Sequence, residues 1–136
     1  MIIKLPVRFK GSKGEKILWA LFDTGSLYSC IREDIAIELG KLDELPIPML
    51  FETASENTFI KATHGMRINF ELNDLILTDE FMVLSQLSEE AIIGVTTMQK
   101  WKLKLDFDRD AVITNPKVAK LILKDLKKLQ LINAQP

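Results

Sequence analysis

Cysteine and histidine each occur once in 136 residues, as Cys30 and His64. One thiol can form neither an internal disulfide nor a cysteine-based zinc site. One imidazole leaves no histidine-rich metal centre, and a hydrolase triad would have to be built on it alone. So little cysteine fits a reducing, cytoplasmic setting. An excess of charge is also missing: 18 basic and 19 acidic residues give a net charge of −1. That removes the electrostatic case for a nucleic-acid partner. No stretch approaches the roughly 20 apolar residues of a membrane span. Met1–Pro6 holds no apolar run long enough for a signal peptide. What remains is an ordinary globular composition, 47% hydrophobic and 27% charged, at a length that suits one domain with a real core.

Hydrophobic periodicity predicts a mainly β protein. Ile3, Leu5, Val7 and Phe9 alternate with Lys4 and Arg8, the pattern of a half-buried strand. After a Gly11–Gly14 turn, Ile17–Phe22 reads as a second strand, apolar enough to be buried on both faces. Ile31, Ile35 and Leu39 fall at helical spacing, with Gly40 placed to end the helix. Pro46 and Pro48 mark residues 41–48 as a loop, and Met49–Phe59 reads as a hairpin with its tip near residues 54–57. Strands are predicted at Met66–Leu72 and Leu75–Leu84, joined at Asn73-Asp74, then at Ala91–Ile93. Thr96 and Gln99 suggest a capping box for a short helix through Lys100. Leu103, Leu105 and Phe107 alternate as a strand that turns at residues 108–110 into Ala111–Ile113. Asn115-Pro116 starts a helix whose stripe is Val118, Ile122, Leu126 and Leu129. The organisation expected is a domain over residues 1–115 and an amphipathic helical extension over 116–136. Five lysines and one aspartate make the extension basic, and docking on its own acidic body is favoured over a membrane surface or a partner.

One element carries chemistry. The second strand delivers an acid into a glycine turn, Asp23-Thr24-Gly25-Ser26. Alone, this is compatible with a strand-to-turn junction in which the aspartate bonds locally. Downstream, Ile92-Ile93-Gly94 leads through Val95-Thr96-Thr97 into a short helix containing Met98 and ending near Trp101. The two elements together resemble the retropepsin-like aspartic proteases, most closely their small stand-alone prokaryotic members, over about residues 2 to 114.

The resemblance implies a closed acid-protease barrel, homodimeric, with two short helices, acting on a peptide or protein substrate without cofactor or metal. It casts Asp23 as catalytic acid/base and Thr24 as the threonine whose hydroxyl bonds across the dimer axis. Gly25 allows the close backbone approach, and Ser26 donates a hydrogen bond to the outer oxygen of Asp23. Ile92, Ile93 and Gly94 support the loop from behind, and Thr53, Ala54, Ser55, Glu56, Asn57 and Thr58 form the flap. Metal-free hydrolysis needs both a base to activate water and an acid. Two carboxyl groups sharing one proton supply both, because close like charges do not ionise together. With a single Asp-Thr-Gly in the chain, the second carboxyl comes most simply from an identical subunit. The alternative is a non-catalytic dimerisation or peptide-binding module on the same fold.

The chain departs from the retroviral pattern in three places. Retroviral proteases keep an Asp two residues after the position of Gly25, paired with an Arg just after that of Gly94; here Leu27 and Val95 stand instead. Both charges are lost together, leaving no orphan. The flap contains no glycine, and a helix follows Pro116 where a bare strand end is usual. Other features read as structure. Gly11–Lys16 lacks phosphate-loop spacing, Asp106, Asp108 and Asp110 lack the remainder of a calcium loop, His64 reads as a surface or loop residue, and Trp19 and Trp101 read as core.

Overall fold

The computed structural model describes residues 1–52, 58–115 and 117–118. The hairpin of β1 (Ile2–Lys10) and β2 (Glu15–Asp23) runs in unbroken register from Ile2↔Asp23 to Lys10↔Glu15. Its turn is drawn tight against the end of α1 (Glu33–Leu39): the Lys13 amide donates to the Leu39 carbonyl at 2.9 Å. A Cβ on Gly11 would stand 2.2 Å from that carbonyl oxygen, so only glycine fits the approach.

Alternation in β1 sends Ile3, Val7 and Phe9 into the core, as predicted. In β2 only Leu18, Ala20 and Phe22 are buried, while Ile17 and Trp19 are 61% and 52% exposed. The expectation of a strand buried on both faces, with Trp19 in the core, is corrected. The period of two is present but masked, because the outward positions are apolar as well.

The strand β3 (Cys30–Arg32) precedes α1 and contains Ile31, which helical spacing had assigned to the helix; Ile35, Ala36 and Leu39 make the buried face of α1. Residues 41–48 are also corrected. They belong largely to a strand, β4 (Asp43–Glu52), not a loop. Its register against β5 (Phe59–Leu72) breaks between Glu44 and Met49, the stretch that contains both prolines. An edge strand with an irregularity accommodates residues that have no N–H to give a ladder. The tip expected near residues 54–57 lies outside the described residues, with residue 53.

β5 pairs with β6 (Leu75–Leu84) from His64↔Val83 to Leu72↔Leu75. The connecting Asn73 and Asp74 have φ of 49° and 68°, a left-handed two-residue turn that matches strand twist and suits Asn and Asp. His64 accordingly lies in a strand, half-buried, with Nδ1 2.8 Å from Thr63 Oγ1.

β7 (Ala91–Ile93) enters between β2, which it parallels, and β3, which runs antiparallel to it. The sheet order is β1-β2-β7-β3-β6-β5-β4, and β5 returns to β1 through Arg8↔Glu71, Phe9↔Phe70 and Lys10↔Asn69. Six strands therefore close into a barrel, with β4 carried on β5 outside the ring. Phe9, Phe70 and Phe81 fill its centre, with ring centroids 5.7 to 6.0 Å apart.

The helix α2 (Val95–Lys100) is followed by a small sheet of β8 (Lys104–Asp106) and β9 (Ala111–Ile113). β8 is shorter than the predicted alternation, and Phe107 is 37% exposed. Asn115 Oδ1 accepts from the Lys117 amide at 2.9 Å. Pro116 and residues 119–136, which include most of the expected extension, lie outside the described residues. No helix among the described residues is long and apolar enough to cross a membrane.

Candidate active site

Asp23 is the last residue of β2, held by the Ile2 pairing on one side and by the Phe22↔Ile93 pairing just before it. Beyond it the chain turns, with the Ser26 amide donating to the Asp23 carbonyl at 3.1 Å. Both carboxylate oxygens are engaged within this turn. The Gly25 amide donates to Oδ1 at 2.9 Å, and the Ser26 hydroxyl donates to Oδ2 at 3.1 Å. A Cβ on Gly25 would lie 3.2 Å from Oδ1, so the position keeps the carboxylate uncrowded. Thr24 binds to the other end of the hairpin: its amide donates to the Met1 carbonyl at 3.2 Å, and its hydroxyl stands 3.3 Å from the same oxygen.

The support behind the loop comes from the β7–α2 corner. Ile93 is fully buried, whereas Ile92 lines the same groove as Asp23. A Cβ on Gly94 would fall 2.7 Å from the Tyr28 carbonyl and 2.8 Å from that of Ser26, contacts no side chain can make. The Thr96–Gln99 capping box is not formed. The α2 N-cap is Gly94, and no side chain caps the helix. The first amides of α2 go to the loop instead: Val95 donates to the Ser26 carbonyl at 2.7 Å and Thr96 to that of Leu27 at 3.3 Å. The Thr96 hydroxyl also donates to Leu27. Helix amides that must find partners outside the helix thereby hold the Asp23 loop in place.

Beneath this contact runs a polar chain for which the sequence offered no sign. The Gly94 amide donates to Ser29 Oγ at 3.0 Å, Ser29 Oγ lies 2.6 Å from Thr97 Oγ1, and Thr97 donates to Asp79 Oδ2 at 2.7 Å. Since the Thr97 proton points to the carboxylate, Ser29 donates to Thr97. The two hydroxyls are 3% and 1% exposed, and Lys100 meets Asp79 Oδ1 at 3.4 Å. Buried hydroxyls are retained only when paired, and these are paired throughout. Leu27 and Val95 carry no charge to replace the retroviral pair, and Leu27 is 55% exposed.

Asp23, Gly25 and Ser26 open onto a groove of about 720 Å³ whose walls include Leu21, Cys30, Phe51, Ile60, Leu84 and Ile92. Burial pushes the Cys30 thiol up to about 12. Of the flap positions, Thr53–Asn57 fall outside the described residues; Phe51, Glu52 and Ile60, which lead toward and away from the tip, line the groove. A second cavity of about 410 Å³ contains Tyr28, Met49, Asp79, Met82, Thr97 and Lys100. Tyr28 belongs to both spaces, its ring meeting Phe51 edge-on at 5.5 Å and 85°. Such a pair contributes about 0.5–1.5 kcal/mol beyond its buried area. Trp101, expected in the core, is half-buried and donates its indole N–H to the Thr78 carbonyl at 2.9 Å. Among the described residues, no three His, Cys, Asp or Glu side chains converge as a metal site would require.

A six-strand closed barrel, an Asp-Thr-Gly-Ser loop leaving β2 and a glycine corner packed behind it define a retropepsin-like fold. Solved structures bear this out. The retroviral protease-like domain of Ddi1 from Leishmania major superposes with a TM-score of 0.64 at 14% identity, covering 85% of this chain and 90% of that one. EIAV protease complexed with the inhibitor HBY-793 gives a TM-score of 0.54 at 13% identity, covering 79% and 94%. No family model and no curated protein matches the chain.

Proposed function

We propose that the chain is an aspartic endopeptidase whose active centre takes one Asp23 from each of two identical subunits. The observation that carries this reading is the Asp23 carboxylate itself. It is held by the Gly25 amide and the Ser26 hydroxyl, and it lines an open groove whose walls are both apolar and polar. In its own chain the described partners of that carboxylate are neutral donors, so the second acid is assigned to the other subunit. Two such groups a few ångströms apart share a proton; the ionised one draws a proton from water while the other protonates the substrate carbonyl. Thr24 would brace the paired loops, and residues Thr53–Thr58 would cover the bound peptide. The setting proposed is cytoplasmic.

The test is incubation of the purified protein with an unbiased peptide mixture at mildly acidic pH, beside Asp23→Asn. Cleavage is expected from the wild type alone. Ser26→Ala should stay folded and lose about ten-fold or more in kcat/KM, a charge-assisted hydrogen bond being worth about 1.5–3 kcal/mol. Peptide binding without cleavage, equal in wild type and Asp23→Asn, would instead establish the peptide-binding module.

A further inference from the structure

The geometry points to the Tyr28–Phe51 ring pair as a size filter: it ends the Asp23 groove on one side and limits how bulky a substrate side chain the groove accepts. This inference rests on the peptide-groove reading above and deepens it. Two strands pass from one space to the other in steps of two residues. On β4, Met49 lines the second cavity and Phe51 the groove; on β6, Met82 lines the second cavity and Leu84 the groove. Residues two apart on a strand share a face and stand roughly 6.6–6.8 Å from one another. The two spaces are therefore side by side on one surface, and Tyr28 is the residue that lines both. Its ring against Phe51 is the partition.

The partition is not part of the main core. Tyr28 is 40% exposed, and Phe51 packs on the small cluster of Cys30, Ala62, Met82 and Leu84. Because Tyr28 lines both spaces of about 720 and 410 Å³ and Phe51 holds its ring, truncating either ring should join them while leaving the barrel core intact. In a two-subunit site the wall occurs twice, once on each side of the symmetry axis.

The experiment uses an octapeptide library scanned position by position with Ala, Leu, Phe and Trp. Cleavage is read by mass spectrometry, and retention is read on immobilised Asp23→Asn protein. Wild-type protein should favour Ala or Leu over Trp at one position or more. Tyr28→Ala, and independently Phe51→Ala, should shift the Trp-to-Leu ratio there by about ten-fold or more toward Trp, the scale of a pocket-size discrimination. Tyr28→Phe, which keeps the ring, should restore the wild-type ranking, and melting curves identify any variant that fails to fold. Cleavage or retention with the same ranking in all variants overturns the filter and leaves the protease reading standing. Retention that follows the predicted ranking without cleavage by the wild type supports the filter and sinks the protease reading. No retention and no cleavage of any peptide overturns both.

Discussion

Asp23 leaves β2 with each carboxylate oxygen already holding one hydrogen-bond donor, and each donor is local, two or three residues along the chain. That is why the site was legible as a motif: turn chemistry acts over short distances, and its residue types are visible in order. Cys30 is the opposite case. In the sequence it excluded a disulfide and a cysteine-based zinc site and fitted a reducing setting, but nothing in its neighbours announced that it is buried in the groove wall. Its thiol is held up to about 12 against an ordinary 9.0, so between these values unfolding releases a proton. The stability held by the neutral thiol is full below 9.0 and is lost as pH rises through about 12. The melting-temperature advantage of wild type over Cys30→Ala should shrink from about pH 8 to about pH 11; a constant difference would contradict this burial.

Elements were readable wherever one strand or turn dictates its own pattern. The β1 alternation and the Asn73-Asp74 turn are such cases, since each depends on residues adjacent in the chain. Sequence reasoning went wrong where the neighbour decides. The β4 prolines looked like a loop because a central strand excludes them, whereas an irregular edge does not. Ile31 matched helical spacing with Ile35 by coincidence and is claimed by β7 and β6 instead. The Ser29–Thr97–Asp79 chain ties the loop before β3 to α2 and β6 across 68 and 18 residues of sequence, so no spacing rule announces it. Thr97→Val keeps the shape but strands the Ser29 hydroxyl and one Asp79 oxygen. The expected loss is about 1–3 kcal/mol in urea unfolding, largely recovered by Thr97→Ser. An unaltered unfolding midpoint in Thr97→Val would show that the chain carries no stability.

For the whole molecule, the proposed two-subunit centre makes a numerical prediction. Wild type and Asp23→Asn, unfolded and refolded together in equal amounts, should pair at random, leaving about a quarter of dimers with two intact acids. A mixed dimer has one ionisable acid and no shared proton, so activity per total dimer should fall to about a quarter. Independent single-chain sites would retain about half. Specific activity should also drop on dilution below the dimer dissociation constant. Half-activity with no dilution effect would rule out the shared centre.

By itself the sequence determined the strand-rich class, the hairpin at the start of the chain and the Asp23–Ser26 turn, because hydrophobic period and turn chemistry act between near neighbours. Tertiary structure decided the rest. Barrel closure set which side of β2 is covered and leaves Ile17 and Trp19 exposed despite their apolar character. The approach of the Gly94 corner to Ser26 and Tyr28 replaced the capping box with loop carbonyls. The meeting of Tyr28 with Phe51 set a ring that lines two spaces edge-on against the groove wall. Each of these depends on residues far apart in sequence, whose contact exists only once the sheet has closed.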